Sequence, residues 1–196
     1  MKRISVTRPC GPALGKLGTW WVAAITCFVG ACAQTPLETE MERLDSRTGT
    51  TVTVMPKPVE LLTEGRSTAR SDPFAYVAPF ETNRMGTHEL FLWVSAPQLA
   101  GALEPPQVFC GDQPVPLDTF QGTLADVGLS SPPYKQPAPW SVQWVFRLSG
   151  EVLDCFATAP RLRVITKAAD EEQPATYVAQ GEALSGLSAF VQKVRT

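Results

Sequence analysis

Histidine and asparagine are nearly missing from this 196-residue chain: His88 and Asn83 stand alone. Every enzyme arrangement that needs an imidazole base must therefore pass through His88. That residue falls in a predicted turn, where a solvated hairpin position accounts for it without chemistry. The sequence has no GxSxG, no SxxK, no CxxC and no phosphate-cradling glycine loop, so the common hydrolase, thiol-redox, zinc and nucleotide signatures are all wanting. It also has no apolar stretch of the ~20 residues that a membrane-crossing helix needs; the apolar run 17–31 spans 15. No cluster of Lys and Arg stands out along the chain, which argues against binding nucleic acid or anionic lipid through a basic face.

What is present is most informative at the N-terminus. Residues 1–16 carry Lys2, Arg3, Arg8 and Lys16 and no acid, and the uncharged run 17–31 follows. This is the layout of an export signal. The run ends in Val29-Gly30-Ala31-Cys32, small residues ahead of a cysteine, and these residues resemble the lipobox of bacterial lipoproteins. Cys27 is a poorer fit, because Ala24-Ile25-Thr26 sets a branched residue and a hydroxyl before it. The resemblance covers the signal alone. It implies cleavage between Ala31 and Cys32, acylation of Cys32 with palmitate-type chains, and the membrane as a partner through that lipid. One chain binds marginally, whereas ~0.8 kcal/mol per buried methylene over two or three chains anchors stably. Ala33 rather than Asp follows the cysteine, which by the same resemblance favours the outer membrane, facing the periplasm, over the inner one.

Removing residues 1–31 leaves 165 residues with 13 Lys and Arg against 19 acids, a net charge of −6. Solubility accounts for the acidity, and no nucleic-acid partner is expected. A chain of this length holds one domain that buries roughly 70% of its unfolded surface. Sixteen prolines remain in it, about twice ordinary usage, and they favour short strands joined by stiff loops. Of the five cysteines, Cys10 and Cys27 leave with the signal and Cys32 is acylated. Cys110 and Cys155 remain, and in an oxidising compartment they suggest one disulfide, worth at most about 4 kcal/mol by chain entropy. Two separate buried thiols are the alternative. No metal or cofactor is expected.

Three regions follow: the signal 1–31, the lipidated Cys32 with a polar tether 32–49, and a globular domain 50–196. The tether could hold a short helical turn over 37–44. Period-two alternation predicts a strand at 51–55, a short edge strand at 58–62, a hairpin of 74–82 with 89–95 whose second strand is covered on both faces, and a short strand at 107–110. Residues 117–129 are ambiguous, and the proline-rich 130–139 reads as a stiff surface connection. Trp140, Val142, Trp144, Phe146 and Leu148 alternate with polar neighbours in the clearest strand of the chain. Ser149 then caps a helix over 150–158. Strands at 161–167 and 175–180 flank the acidic turn Asp170-Glu171-Glu172, and an amphipathic helix over 182–194, weakened by Gly186, closes the chain. The order favours an α+β fold, a mostly antiparallel sheet with one short and one C-terminal helix; a β-sandwich is the alternative.

No catalytic residue emerges. Glu81 and Glu89 could face each other across the hairpin as a paired-carboxylate site. Two function classes remain: a binding module for another envelope component, and an anchored enzyme acting on cell-wall or lipid material. The first is favoured, with a leftover apolar patch rimmed by Arg and Glu as its interaction site.

Overall fold

The computed structural model describes residues 41–64, 74–98, 103–169 and 174–196. Ala31, Cys32, the first half of the expected tether and the Asp170-Glu171-Glu172 turn lie outside them. Among the described residues eleven strands form one antiparallel sheet, β7-β6-β10-β11-β3-β4-β5-β9-β8, with β2 also on β4 and β1 on β2. In chain order these are β1 (Glu42–Asp45), β2 (Thr50–Val54), β3 (Val59–Thr63), β4 (Phe74–Arg84), β5 (Thr87–Pro97), β6 (Gln107–Cys110), β7 (Gln113–Pro114), β8 (Asp118–Thr119), β9 (Ser141–Leu148), β10 (Arg161–Thr166) and β11 (Ala175–Gln180). Two helices, α1 (Gly150–Thr158) and α2 (Ser185–Val194), complete an α+β fold with a short helix and a C-terminal one.

The expected hairpin is the spine of the sheet. Its loop is Met85-Gly86, both at positive φ (53° and 86°), between the paired residues Arg84 and Thr87. Two positive φ values in a two-residue loop match the right-handed twist of the flanking strands. β5 is covered on both faces: Leu92 and Val94 enter the core under α1 and α2, while Phe91 and Trp93 enter a second core on the opposite face.

The second core is roofed by residues with no strand or helix periodicity of their own. The ambiguous stretch supplies β8 and a single 3-10 turn, Leu124–Val127. Val127, Leu129 and Tyr134 then pack on Val52, Val54, Phe80, Phe91 and Trp93. The proline-rich segment is thus more than a surface connection, because Tyr134 is buried in the middle of it.

β2 and β3 lie end to end along one edge of β4. Val54 pairs with Phe80 and Val59 with Val77, so residues 54–59 span what 80–77 span on β4, and the surplus bulges out as residues 55–58. The bulge splits the next layer of the sheet: β1 flanks β2, and β11 flanks β3. It also explains a proline at position 79 of a central strand, since a residue without an N–H is tolerated where the ladder is interrupted. The Tyr134 hydroxyl fills the interruption, donating to the Pro79 carbonyl at 2.6 Å and accepting from the Met55 N–H at 2.9 Å.

Several expectations are corrected. β3 is not an edge strand but sits between β4 and β11, because the bulge turns the chain back onto the same β4 edge. The tether does not extend to residue 49, and of the helical turn expected over 37–44 the described residues 41–44 are not helical. Glu42–Asp45 is a strand on β2 instead, held in part by Asp45, whose carboxylate accepts from the Ser130 N–H at 2.7 Å and from its hydroxyl at 2.8 Å. Trp140 precedes β9 and is half exposed rather than core. Ser149 stands at the start of α1, but its side chain makes no capping bond. At Gly186 a Cβ would lie 2.8 Å from Met55 Cε, the movable end of a flexible side chain.

Candidate functional site

The hairpin register decides what the titratable residues can do. Glu81 pairs with Leu90, Thr82 with Glu89 and Asn83 with His88. The two glutamates are therefore one step out of register. Since side chains alternate across the pleat, Glu81 falls on the helix-covered face with Ala75 and Val77, and Glu89 falls on the opposite face with Phe91 and Trp93. The paired-carboxylate arrangement is not formed.

His88 and Glu81 are instead diagonal neighbours on the helix-covered face. His88 Nδ1 lies 2.8 Å from Glu81 Oε1, with the carboxylate side chain 9% exposed and the imidazole 55% exposed. His88 is thus more than a solvated turn residue: the contact orients its ring and leaves Nε2 without a partner among the described residues. On the other face Glu89 meets Arg147 of β9 at 3.4 Å, and the Arg147 guanidinium lies 5.3 Å from the centre of the Phe120 ring.

These residues meet where the sheet ends. β9 stops at Leu148, and Ser149 turns the chain into α1. The start of α1 and the end of α2 close over the strand ends and leave an open groove of about 590 Å³. Its floor is Leu90, Leu148, Leu153 and Val194, and its rim carries Glu81, His88, Arg147 and Arg195. Arg195 is itself paired with Asp154 of α1. The rim is a series of ion pairs of both signs around an apolar floor. Among the described residues no hydroxyl or thiol lines the groove, so a nucleophile activated by His88 would there have to be water.

Cys110 of β6 and Cys155 of α1 form a disulfide, with Cα atoms 6.1 Å apart. The bridge pins α1 to the far side of the sheet and so holds one wall of the groove. Among the described residues no three His, Cys, Asp or Glu side chains come together as a metal site, and no helix is long and apolar enough to cross a membrane.

Reading the sequence identified His88, Glu81 and Glu89 as titratable groups of one hairpin. It missed Leu153, Val194 and Arg195, which reach the groove from helices distant in the chain. It also missed Tyr134, whose only local signal was an aromatic residue amid prolines. Comparison of the chain with family profiles, with curated proteins and with solved structures finds no match.

Proposed function

We propose that this protein is an exported lipoprotein, cleaved behind Ala31 and acylated on Cys32, whose folded domain binds another envelope protein through the groove between the hairpin and the helix ends. The basic n-region, the uncharged run and the box before Cys32 support the anchor, and Ala33 points to the outer membrane facing the periplasm. The Cys110–Cys155 bridge accords with an oxidising compartment.

The observation that carries the binding reading is the anatomy of the groove. An apolar centre inside a polar rim is how protein interfaces are built, and the floor residues Leu90 and Val194 are only partly buried. The occupant that fits is a partner segment offering an aliphatic or aromatic side chain to the floor and charges of both signs to the rim. Anchoring raises the effective concentration of the domain towards such a partner without any new contact.

The anchor is tested with Cys32→Ala, which should stay uncleaved or leave the membrane fraction; a variant still cut after Ala31 and still firmly bound refutes it. Binding is tested by affinity purification from gently solubilised envelopes with the wild-type chain beside Val194→Asp and Leu90→Ser. One specific partner, retained by the wild type and lost from both variants, supports the reading. The anchored-enzyme reading draws on the Glu81–His88 contact. Turnover of wall or lipid substrates that vanishes in His88→Ala, with no partner retained, would replace the binding reading by it.

A further inference from the structure

Beside the roofed second core, on the same face of the sheet, the chain forms a pocket of about 250 Å³. Its walls are aromatic and prolyl: Phe74 and Tyr76 come from β4, and Pro137, Pro139 and Trp140 from the segment that leads into β9. Ser95 of β5 also lines it. The register sets Ser95 between Tyr76 and Gln143, and the strand period turns its side chain to this face with Phe91 and Trp93. Among the described residues no charged side chain lines the pocket. The floor of the groove beside the helix ends lies on the other face of the sheet, so the two sites are separate.

A buried polar group without a partner and a large apolar side chain left in solvent are both features that folding alone does not reward. This pocket has one of each. Ser95 is fully buried, and its Oγ has no hydrogen-bond partner. Gln143, opposite it on β9, uses its side-chain oxygen to accept from the Trp93 indole N–H at 3.0 Å, and Ser141, the other serine of the lining, donates to the Ala138 carbonyl at 2.8 Å. Trp140 is half exposed. The wall that carries it is fixed in advance. Gln136 Nε2 donates to the Ser141 carbonyl at 2.8 Å, the Gln98 N–H donates to the Trp140 carbonyl at 3.0 Å, and the prolines on either side of Ala138 lock φ.

We propose that this pocket is a small-molecule site for a neutral aromatic ring carrying one hydrogen-bonding oxygen, a compound of the phenol class, with the ring against Trp140 and Tyr76 and the oxygen on Ser95 Oγ. Size supports one ring: a cavity of about 150 Å³ holds benzene, and pockets for drug-sized ligands begin near 300 Å³. Polarity narrows the class further. An anion would find no cation in the lining. A cation would gain from the ring faces and a plain hydrocarbon from the apolar walls, but either would leave Ser95 without a partner. A ring with one oxygen satisfies both features at once, because its face meets the aromatic wall and its oxygen pairs with the one serine left over.

The test titrates the purified chain, disulfide intact, with para-fluorophenol and with fluorobenzene near neutral pH, where the phenol is uncharged, and follows the ligand by fluorine NMR. The phenol should bind with a dissociation constant on the order of 1 mM, as suits so few atoms, and about fivefold more tightly than fluorobenzene, the worth of one hydrogen bond. Ser95→Ala should erase that preference and still bind fluorobenzene. It should also leave the melting midpoint no lower, since the hydroxyl removed has no partner in the free protein. Trp140→Ala should weaken both rings by about fivefold. Equal binding of the two rings, a preference that survives Ser95→Ala, or indifference to Trp140→Ala would overturn the proposal. So would three other results: no binding of either ring, which leaves Ser95 to an ordered water; displacement of the rings by tetramethylammonium, which assigns the pocket to cations; and tighter binding of N-acetyltyrosinamide than of para-fluorophenol, which assigns it to a tyrosine of a protein partner.

Discussion

Replacing Tyr134 by Phe removes one oxygen atom and leaves two backbone groups of the interrupted ladder without partners. The phenol donates to Pro79 O and accepts from Met55 N–H, and both of those residues are buried, Met55 at 2% exposure. Burial pushes the phenol pKa above its ordinary value, against smaller opposing effects of the Met55 hydrogen bond and Arg43, so the hydroxyl is a donor at neutral pH. The substitution keeps the ring and its contacts with Phe80 and Trp93, so no cavity contribution is expected beyond one hydroxyl. Each buried group stranded this way costs about 1–3 kcal/mol. The carbonyl, with a second lone pair and looser demands, falls at the low end, and roughly 2–4 kcal/mol is expected for the pair. That is a large part of the 5–15 kcal/mol typical of a domain. Urea unfolding followed by tryptophan fluorescence, with the disulfide intact, measures it: the midpoint should fall while the slope stays constant, as for a change in native stability alone. A loss below about 0.5 kcal/mol would refute the reasoning, because it would mean that water or a shift of residues 55–58 satisfies both groups.

Three further outcomes follow from the same contacts. The Asp45 carboxyl is lowered to about 2 from an ordinary 3.8, chiefly by the Ser130 N–H and then by its hydroxyl; a depressed carboxyl stabilises the fold above its unfolded pKa and loses that contribution as pH falls through the folded one. Stability should therefore drop between about pH 4 and 2 more steeply in the wild type than in Asp45→Asn, and parallel acid-unfolding curves would count against the contact. Gly128 has φ 75° and a would-be Cβ against Thr50 Oγ1, so Gly128→Ala should destabilise by more than the ~1 kcal/mol of the backbone conformation alone, read as a lower melting midpoint; an unchanged midpoint would mean the roof over the second core can shift at no cost. Protein purified from an oxidising compartment should resist alkylation at Cys110 and Cys155 until reduced, and the double Ser variant should lose up to about 4 kcal/mol; two freely alkylated thiols by intact mass would rule the bridge out.

The parts of this protein that are legible in its sequence are those set by local periodicity. β9, β10 and β11 alternate over six residues or more, α1 and α2 carry apolar residues at helical spacing, and Met85-Gly86 lies between two strand-forming runs, so each segment's pattern defines its own element. The disulfide follows by elimination, since two cysteines are left once the expected signal and the expected lipid-bearing Cys32 are set aside. Tertiary structure decided everything that depends on one segment meeting another. β1 carries no strand signal and exists because Thr50–Val54 offers a free edge and Asp45 finds Ser130, 85 residues away. A register one step from the one expected separates Glu81 from Glu89, since a period of two turns any slip of one into a change of face. Tyr134 matters because a bulge opens a gap on the far side of the sheet. The groove gathers side chains that local pattern assigns to separate elements, Leu90 and Leu148 to strands and Leu153 and Val194 to helices. Which outward faces are then covered depends on where distant segments pack, and that is a property of the folded chain, absent from any window of its sequence.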